Sequence, residues 1–532
     1  MTGKAIKRRL LNQQTQEIAI LVGLFAFSLA VRRIGVKHGF PLLTHPDEEA
    51  ILLPVYEMTR NRTLNPGSFM RPNQILYLLN FLHLNGLSYL RFNQNLGITY
   101  PGNVLTFHYY ARMLISALGS LIPLIAYKIG KLFKPNFALP AGLVFAVFPL
   151  YAIESLYITP DIPITLFTLV IILFTLLYLK QGSEKWLYLA VFFSAVNTAE
   201  KYPGLISLSI VFLGVLLKYI ETPGFTWRTH WSGLVKKGLL IIGLFVIALF
   251  MVAPYLFIEF DMVTEAIRNE ARTTHLGADN LGWGGNLWYY VQTFVEWSNI
   301  LSILWISLGI FALVKWRDKH ALVLIYGALY WIILSRLALH WPRWSLPMYI
   351  TPLFLIAIGI TQFWQWIKTR PQTRPVAILI LLFLAQQFIA TVHISVAMSF
   401  TDTLVTSSIY CDENGVRPEN SLYEGYTPLL PNKIKILEPQ DLVTAQDIDF
   451  IVLSSEIYDR YEAEPERYVE KLAFYQSIRQ NHLLIAEFTP TPAAQNTFER
   501  LDDILFYAQK RLKLTTEERY KGQTIQIFEF TP

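Results

Sequence analysis

The sequence predicts a mainly α-helical, polytopic transmembrane bundle of about eleven spans with a C-terminal soluble α/β domain, and three observations predict it. The chain of 532 residues is 53% hydrophobic and only 16% charged, far too apolar for a soluble protein of that length. Apolar runs near the length of about 20 residues needed to cross a bilayer recur from position 16 to position 396. Charge then divides: residues 400–532 hold 13 Lys+Arg and 22 Asp+Glu, net −9, which leaves 45 − 13 = 32 basic and 39 − 22 = 17 acidic residues before them, net +15. The chain is accordingly read as a transmembrane domain at 1–399, with an outer loop at 34–106, and a soluble extracytoplasmic domain at 400–532.

In chain order, spans are expected at 16–33, 107–127, 138–157, 162–179, 186–200, 203–218, 238–258, 291–314, 320–336, 345–367 and 375–396. Lys4, Lys7, Arg8 and Arg9 ahead of the first resemble a secretory signal, but no small-residue cleavage pattern follows, so the first helix is read as uncleaved. Lys and Arg favour cytoplasmic loops. With the N-terminus inside, those loops carry Lys128, Lys131 and Lys134, then Lys180 and Lys185, then Lys218, Arg228, Lys236 and Lys237. Lys315, Arg317 and Lys319 follow, then Lys368, Arg370 and Arg374. The acidic tail then lies outside, in a multi-pass plasma membrane protein. Arg32 and Arg33 run against this rule, at the outer end of the first span.

The outer loop at 34–106 contains amphipathic pieces such as 74–84, suited to the membrane interface. A second outer loop runs over 259–290. In the tail, 450–453 has the pattern of a buried strand, 465–479 is helix-like, 482–488 is strand-like, and 523–530 alternates with period two. Cys411 is the sole cysteine, which excludes an internal disulfide and a thiolate metal cluster. The pI near 9 does not signal nucleic acid, because the basic residues sit in short clusters between apolar runs.

Chemistry is sought on the outer face. Thr-His-Pro-Asp-Glu-Glu at 44–49 supplies Asp47 and Glu48, carboxylates able to take a proton from a hydroxyl or orient an acceptor. The same residues make an ordinary helix start: Thr44 as cap, Pro46 in the first turn, acids at the positive end. Tyr-Ile-Thr-Pro-Asp at 157–161 supplies Asp161, again beside a common helix-start pattern, and both acids fall on one predicted face of the membrane. Arg112, Lys201, Arg336 and Arg343 lie near outer helix ends, where each needs an anionic partner, water or a lipid phosphate. His45, His108, His275 and His340 lack metal-ligand spacing, and there is no Walker loop, dinucleotide fingerprint, nucleophile elbow or His-Glu-x-x-His.

At these residues the chain resembles the GT-C superfamily of membrane glycosyltransferases, family 39, the relatives of protein O-mannosyltransferases and the lipid A aminoarabinose transferase. The resemblance spans about residues 10–370 and rests on motif order: Ala-Val-Arg-Arg at 30–33, Pro-Asp-Glu-Glu-Ala at 46–50, the stretch 108–119, Phe-Pro-Leu at 148–150, Asp161 with Pro163, Ala-Glu-Lys-Tyr-Pro-Gly at 199–204, and Pro-Arg-Trp-Ser-Leu-Pro at 342–347. It implies a GT-C-type bundle that takes sugar from a polyprenyl-phosphate donor and passes it, with inversion, to a lipid, glycan or protein acceptor. It implies Asp47 as the base, Glu48 as a positioning acid, Asp161 as completing the acidic site, and Arg112, Lys201 and Arg343 as holding the donor phosphate. Arg32 and Arg33 then have a reason to sit outside. The resemblance fixes no cofactor and leaves a divalent metal open; nucleic acid is not a partner. Glu200 departs from the pattern, since a small or polar residue is more usual there, and it is expected to neutralise Lys201 in part. Ser454 and Ser455 are read as structural.

Two other functions compete. A transporter or flippase of lipid-linked sugars would show paired repeats and interrupted helices meeting at mid-membrane, and no repeat is present. A scaffold using the acidic tail leaves the outer motifs without a purpose.

Overall fold

The computed structural model describes residues 3–444 and 446–531, with side chains from residue 14 onward. The described chain divides into two compact units. One comprises residues up to Arg33, Ile51–Thr273 and Leu281–Val392; the other comprises Ile34–Ala50, Thr274–Asn280 and the chain from His393.

The first unit is helical. Among the described residues, six helices are long and apolar enough to cross a membrane: Val104–Phe133, Asp161–Gln181, Tyr202–Ile220, Trp227–Val252, Pro342–Lys368 and Pro371–Ala397. A seventh results if Gly282–Ser298 and Leu301–Trp316, bent by 107° at their junction, form one broken span. The multi-pass membrane class is therefore present, while the expected count of eleven is not reached by length and composition. The reasons are local. Pro149, which cannot donate a backbone hydrogen bond, ends the expected 138–157 span, leaving Ala138–Ala146 and Pro149–Glu154. The 320–336 span opens as 3-10 turns over Lys319–Ile325 before the nine-residue helix Tyr326–Leu334.

Burial sorts these helices by role. Asp161–Gln181 and Pro342–Lys368 have 72% of their apolar windows enclosed by protein, whereas Trp227–Val252 and Pro371–Ala397 have 17% and 22%, so the latter pair carry the outward apolar faces that lipid would cover. Between Leu301–Trp316 and Leu346–Lys368 the backbones approach so closely that a Cβ on Gly359 would lie 2.0 Å from the Trp305 carbonyl oxygen, and one on Gly309 2.1 Å from that of Leu355. Such small-residue contacts substitute in a membrane for the missing hydrophobic drive between helices. In the outer loop, the helix Gln74–Phe92 buries Leu76, Tyr77 and Leu84 in the bundle core and leaves Leu82 and Leu90 exposed.

The second unit is built on a four-stranded sheet in the order Ser421–Tyr423, Phe450–Ser454, Ile525–Glu529, Leu483–Phe488. The first pair is parallel and the others antiparallel, with Ile451 opposite Phe528 and Leu453 opposite Gln526. The run at 450–453 is the apolar central strand its pattern predicts, buried from Ile451 onward. The helix expected over 465–479 is Val469–Asn481. It packs Phe474, Tyr475 and Ile478 against Ile451 and Leu453. Ser454 caps the helix Ser455–Glu462 by accepting from Glu456 N at 3.3 Å, and Ser455 Oγ accepts from Thr524 N at 3.0 Å, so both serines are structural. Cys411 is free and buried.

Glu424, fully buried in this unit, accepts hydrogen bonds from Ser454 N at 3.2 Å and from the Tyr475 hydroxyl. Burial nonetheless pushes its carboxyl up to about 7, from an ordinary 4.5. The folded state thus holds this proton more tightly than the unfolded chain. The resulting stabilisation is complete below the ordinary value and is lost as pH rises through about 7, about 3 kcal/mol in all. Urea midpoints followed by hydrogen exchange at the strand Phe450–Ser454 should fall between about pH 5 and pH 8. Glu424→Gln should flatten that dependence; an unchanged slope would mean another group carries it.

Candidate active site

Asp161 begins the helix Asp161–Gln181 directly after Pro160, in its first turn, where a carboxylate meets the positive end of the helix dipole. It is 2% exposed. Its Oδ1 accepts from Lys201 Nζ at 2.6 Å, an ion pair in which both partners are withdrawn from solvent. Lys201 stands in extended backbone at φ −153, between the helix Glu184–Glu200 and the 3-10 turns Tyr202–Ser207. The break is made by Pro203 and by Gly204, on which a Cβ would lie 2.1 Å from the Asn197 carbonyl oxygen. Lys201 Nζ also lies 5.6 Å from the centroid of the Trp344 ring.

Two further cations, Arg71 and Arg343, act electrostatically on Lys201. Arg343 sits in the 3-10 turn Pro342–Ser345, beside Trp344. Arg71 comes from the outer loop, and its Nε is 3.7 Å from Glu270 Oε1. The first unit therefore brings Arg71 and Arg343 within electrostatic reach of the buried Asp161–Lys201 pair, with Glu270 beside Arg71. The sequence reading singled out Lys201 and Arg343 and missed Arg71. Its signal was weak: an Arg-Pro pair two residues before an amphipathic helix, with no hydrophobic span to set it against.

Glu200 does not serve as the partner of Lys201. Its Oε2 accepts from Leu76 N at 2.8 Å and its carbonyl from Asn73 N at 3.0 Å. It thereby satisfies amides at the start of the helix Gln74–Phe92, a task for which an anion is suited. Glu200 still interacts electrostatically with Lys201, whose ion-pair partner is Asp161. Arg32 is fully buried, its Nε donating to Ser155 Oγ at 3.0 Å and its Nη1 to the Ser28 carbonyl at 3.0 Å. It ties the first helix to the chain after Pro149–Glu154, where Gly119 leaves room: a Cβ there would lie 2.2 Å from Ser155 Oγ. Arg112 is fully buried in Val104–Phe133, one helical turn before Ser116, whose hydroxyl donates to the Ser155 carbonyl at 2.9 Å.

Asp47 and Glu48 open the helix Pro46–Arg60, with Glu49 beside them in its first turn. Residues 46–50 belong to the second compact unit. Within it Asp47 is half-buried, Glu48 is buried, and Glu49 Oε2 accepts from Asn432 Nδ2 at 2.9 Å. The Asp47 charge acts on Tyr426, whose hydroxyl is pushed above its ordinary range by burial first, eased by Arg460, and raised again by Glu456 and Asp47. Also within this unit, the loop segment Thr274–Asn280 is held by Asp279 Oδ1, which accepts from Arg467 Nη1 at 2.6 Å. Among the described residues no group of three or more His, Cys, Asp and Glu side chains is disposed to hold a metal ion.

Residues 103–258 match the model of a family described as dolichyl-phosphate-mannose-protein mannosyltransferase. That stretch contains Arg112, Asp161, Glu200 and Lys201. Among curated proteins none matches. Two crystal structures of ArnT from Cupriavidus metallidurans are similar at 14% identity. One, bound to undecaprenyl phosphate, has a TM-score of 0.45 and covers 85% of this chain and 95% of that one. The other, in the apo state, has a TM-score of 0.47 with coverages of 89% and 96%.

Proposed function

We propose, from the match of residues 103–258 to the protein mannosyltransferase family, that the chain is a GT-C superfamily protein that transfers a sugar from a polyprenyl-phosphate donor to an acceptor hydroxyl on the extracytoplasmic face, with inversion. The observation that carries this reading is the buried Asp161–Lys201 pair, within the matched stretch 103–258, on which Arg71 and Arg343 act from outside that stretch. Positive side chains gathered at a buried site suit a phosphate, whose negative charge grows as the glycosidic bond to it breaks. In a weakly screened setting they stabilise the leaving group more than they would in water.

In this reading Lys201, Arg343 and Arg71 bind the donor phosphate, with Arg112 as a further candidate, and Asp161 positions Lys201. Asp47 removes the acceptor hydroxyl proton as its oxygen attacks the anomeric carbon from the side opposite the phosphate, and Glu48 positions acceptor or sugar. Attack from that side inverts the centre. The proton goes to Asp47 and the bonding electrons of the broken bond go to the lipid phosphate. The extracytoplasmic orientation follows from the Lys and Arg distribution.

The test is purified protein in detergent with a panel of radiolabelled polyprenyl-phosphate sugars and candidate acceptors. Consumption of one donor, with release of free polyprenyl phosphate and no need for a sealed compartment, is the expected result. Movement of lipid-linked sugar across vesicles without covalent change would replace this reading with the transporter.

A further inference from the structure

Helix Thr497–Arg511 in the second unit has two faces, and only one is used by the fold. Phe506 and Asp503 point into the unit, where Asp503 pairs with His393 at 2.7 Å and with Arg519, whose guanidinium lies 4.4 Å from the Phe506 ring centroid. The other face repeats apolar residues at alternating intervals of three and four: Phe498, Leu501, Leu505, Ala508 and Leu512. That spacing makes one continuous stripe on a helix. It is exposed, with Phe498 at 84%, Leu505 at 61% and Leu512 at 70%, and Leu514 follows at 72%. So much contiguous apolar surface on a polar domain marks a contact that the isolated chain does not make.

The charges beside the stripe identify what covers it. The acids of the helix are engaged: Asp502 and Asp503 with Arg519, and Glu499 at the helix start with Asn496 and Gln495 N. Arg500 and Arg511, on one flank, make no ion pair among the described residues. Arg511 is also on the rim of a cavity of about 400 Å³ within the same unit, whose lining holds Lys37, Lys510, Arg511 and Arg519 against Asp402 and Glu518. Phe400 and Phe506 supply apolar wall. Its lining further includes Ile34, the last residue of the first helix, and Met398, which follows Pro371–Ala397, one of the candidate spans. Apolar stripe, unpaired arginines and a cavity with more basic than acidic lining residues, next to the end of a candidate span, together complement the chemistry of an anionic phospholipid.

We propose that helix Thr497–Arg511 docks on the bilayer surface, its stripe among the acyl chains and the adjoining cavity receiving the phosphate of an anionic lipid headgroup. This does not depend on glycosyl transfer, and its failure would leave that reading untouched. A second copy of the chain is disfavoured as occupant, because a like surface would bring the same unpaired arginines.

The test uses full-length protein in nanodiscs, in a Cys411→Ala background, with a fluorophore at the single cysteine of Leu505→Cys or, as a control on the sheet of the same unit, Leu483→Cys. Quenching by brominated acyl chains is expected at position 505 and not at 483. It should be stronger with phosphatidylglycerol than with phosphatidylcholine alone, and that preference should fall by about five-fold for each of Arg500→Glu and Arg511→Glu. Equal quenching at both positions would overturn the proposal, as would a signal at 505 that vanishes on dilution to one protein per disc, the mark of a second copy. In detergent, thermal stabilisation by short-chain phosphatidylglycerol beyond that by inorganic phosphate is expected. Equal stabilisation by both would assign the cavity to a free anion instead of a lipid.

Discussion

Asp47→Asn is expected to lower sugar transfer by about 10²–10⁴-fold in kcat while leaving donor KM near its original value. The amide keeps the size and polarity of the side chain but cannot accept the hydroxyl proton as the new bond forms. The fold should survive, because Asp47 is half-buried at a helix start, where an amide also serves. Thermal unfolding in detergent checks the fold, and single-turnover transfer from the donor identified in the panel checks the chemistry. A folded variant with full activity would remove Asp47 from the role of base. Glu48→Gln should act differently, raising acceptor KM more than it lowers kcat, since a positioning group contributes to binding as well as to the transition state.

The second large effect concerns the buried pair. Lys201→Met leaves the Asp161 carboxylate withdrawn from solvent without its 2.6 Å partner, and stranding one member of such a pair costs about 3–5 kcal/mol. Asp161→Asn strands the ammonium within electrostatic reach of two like charges, Arg71 and Arg343, and should cost at least as much. The double variant should recover a large part of the loss, because two neutral side chains leave no uncompensated charge. Strictly additive losses would mean that the two side chains do not stabilise each other. Donor affinity separates structure from binding: the double variant should fold yet bind polyprenyl phosphate more weakly, having lost one cation.

Some departures from expectation in the membrane unit share one cause. Apolar periodicity reports that a segment is buried or lipid-facing, and it does not report whether the helix is whole. Val104–Phe133 and Asp161–Gln181 were legible because nothing in them interrupts the backbone ladder for long. The 138–157 stretch has the same composition but is broken at Pro149, and the 291–314 stretch is bent sharply near Asn299. Ionic partners were harder still. Glu200 is next to Lys201 in the chain, yet adjacent residues on a helix end point in different directions. Its carboxylate goes to Leu76 N, while the lysine finds Asp161, 40 residues away.

By itself the sequence determined the membrane class, the α/β character of the tail and the type of residue available for chemistry, since composition, hydrophobic period and charge distribution are local properties. It also made three strands of the tail legible, 450–453, 482–488 and 523–530, but not the edge strand Ser421–Tyr423, which is too short to show a period, nor which strand pairs with which. Tertiary structure alone decided that Asp161 belongs to Lys201, that Arg71 joins them from a distant loop, that Glu200 anchors a helix start, and that Arg32 is a buried strut. Coulombic attraction and desolvation act through space and across any sequence separation, so the partner of a buried charge is fixed only when the chain has brought it there.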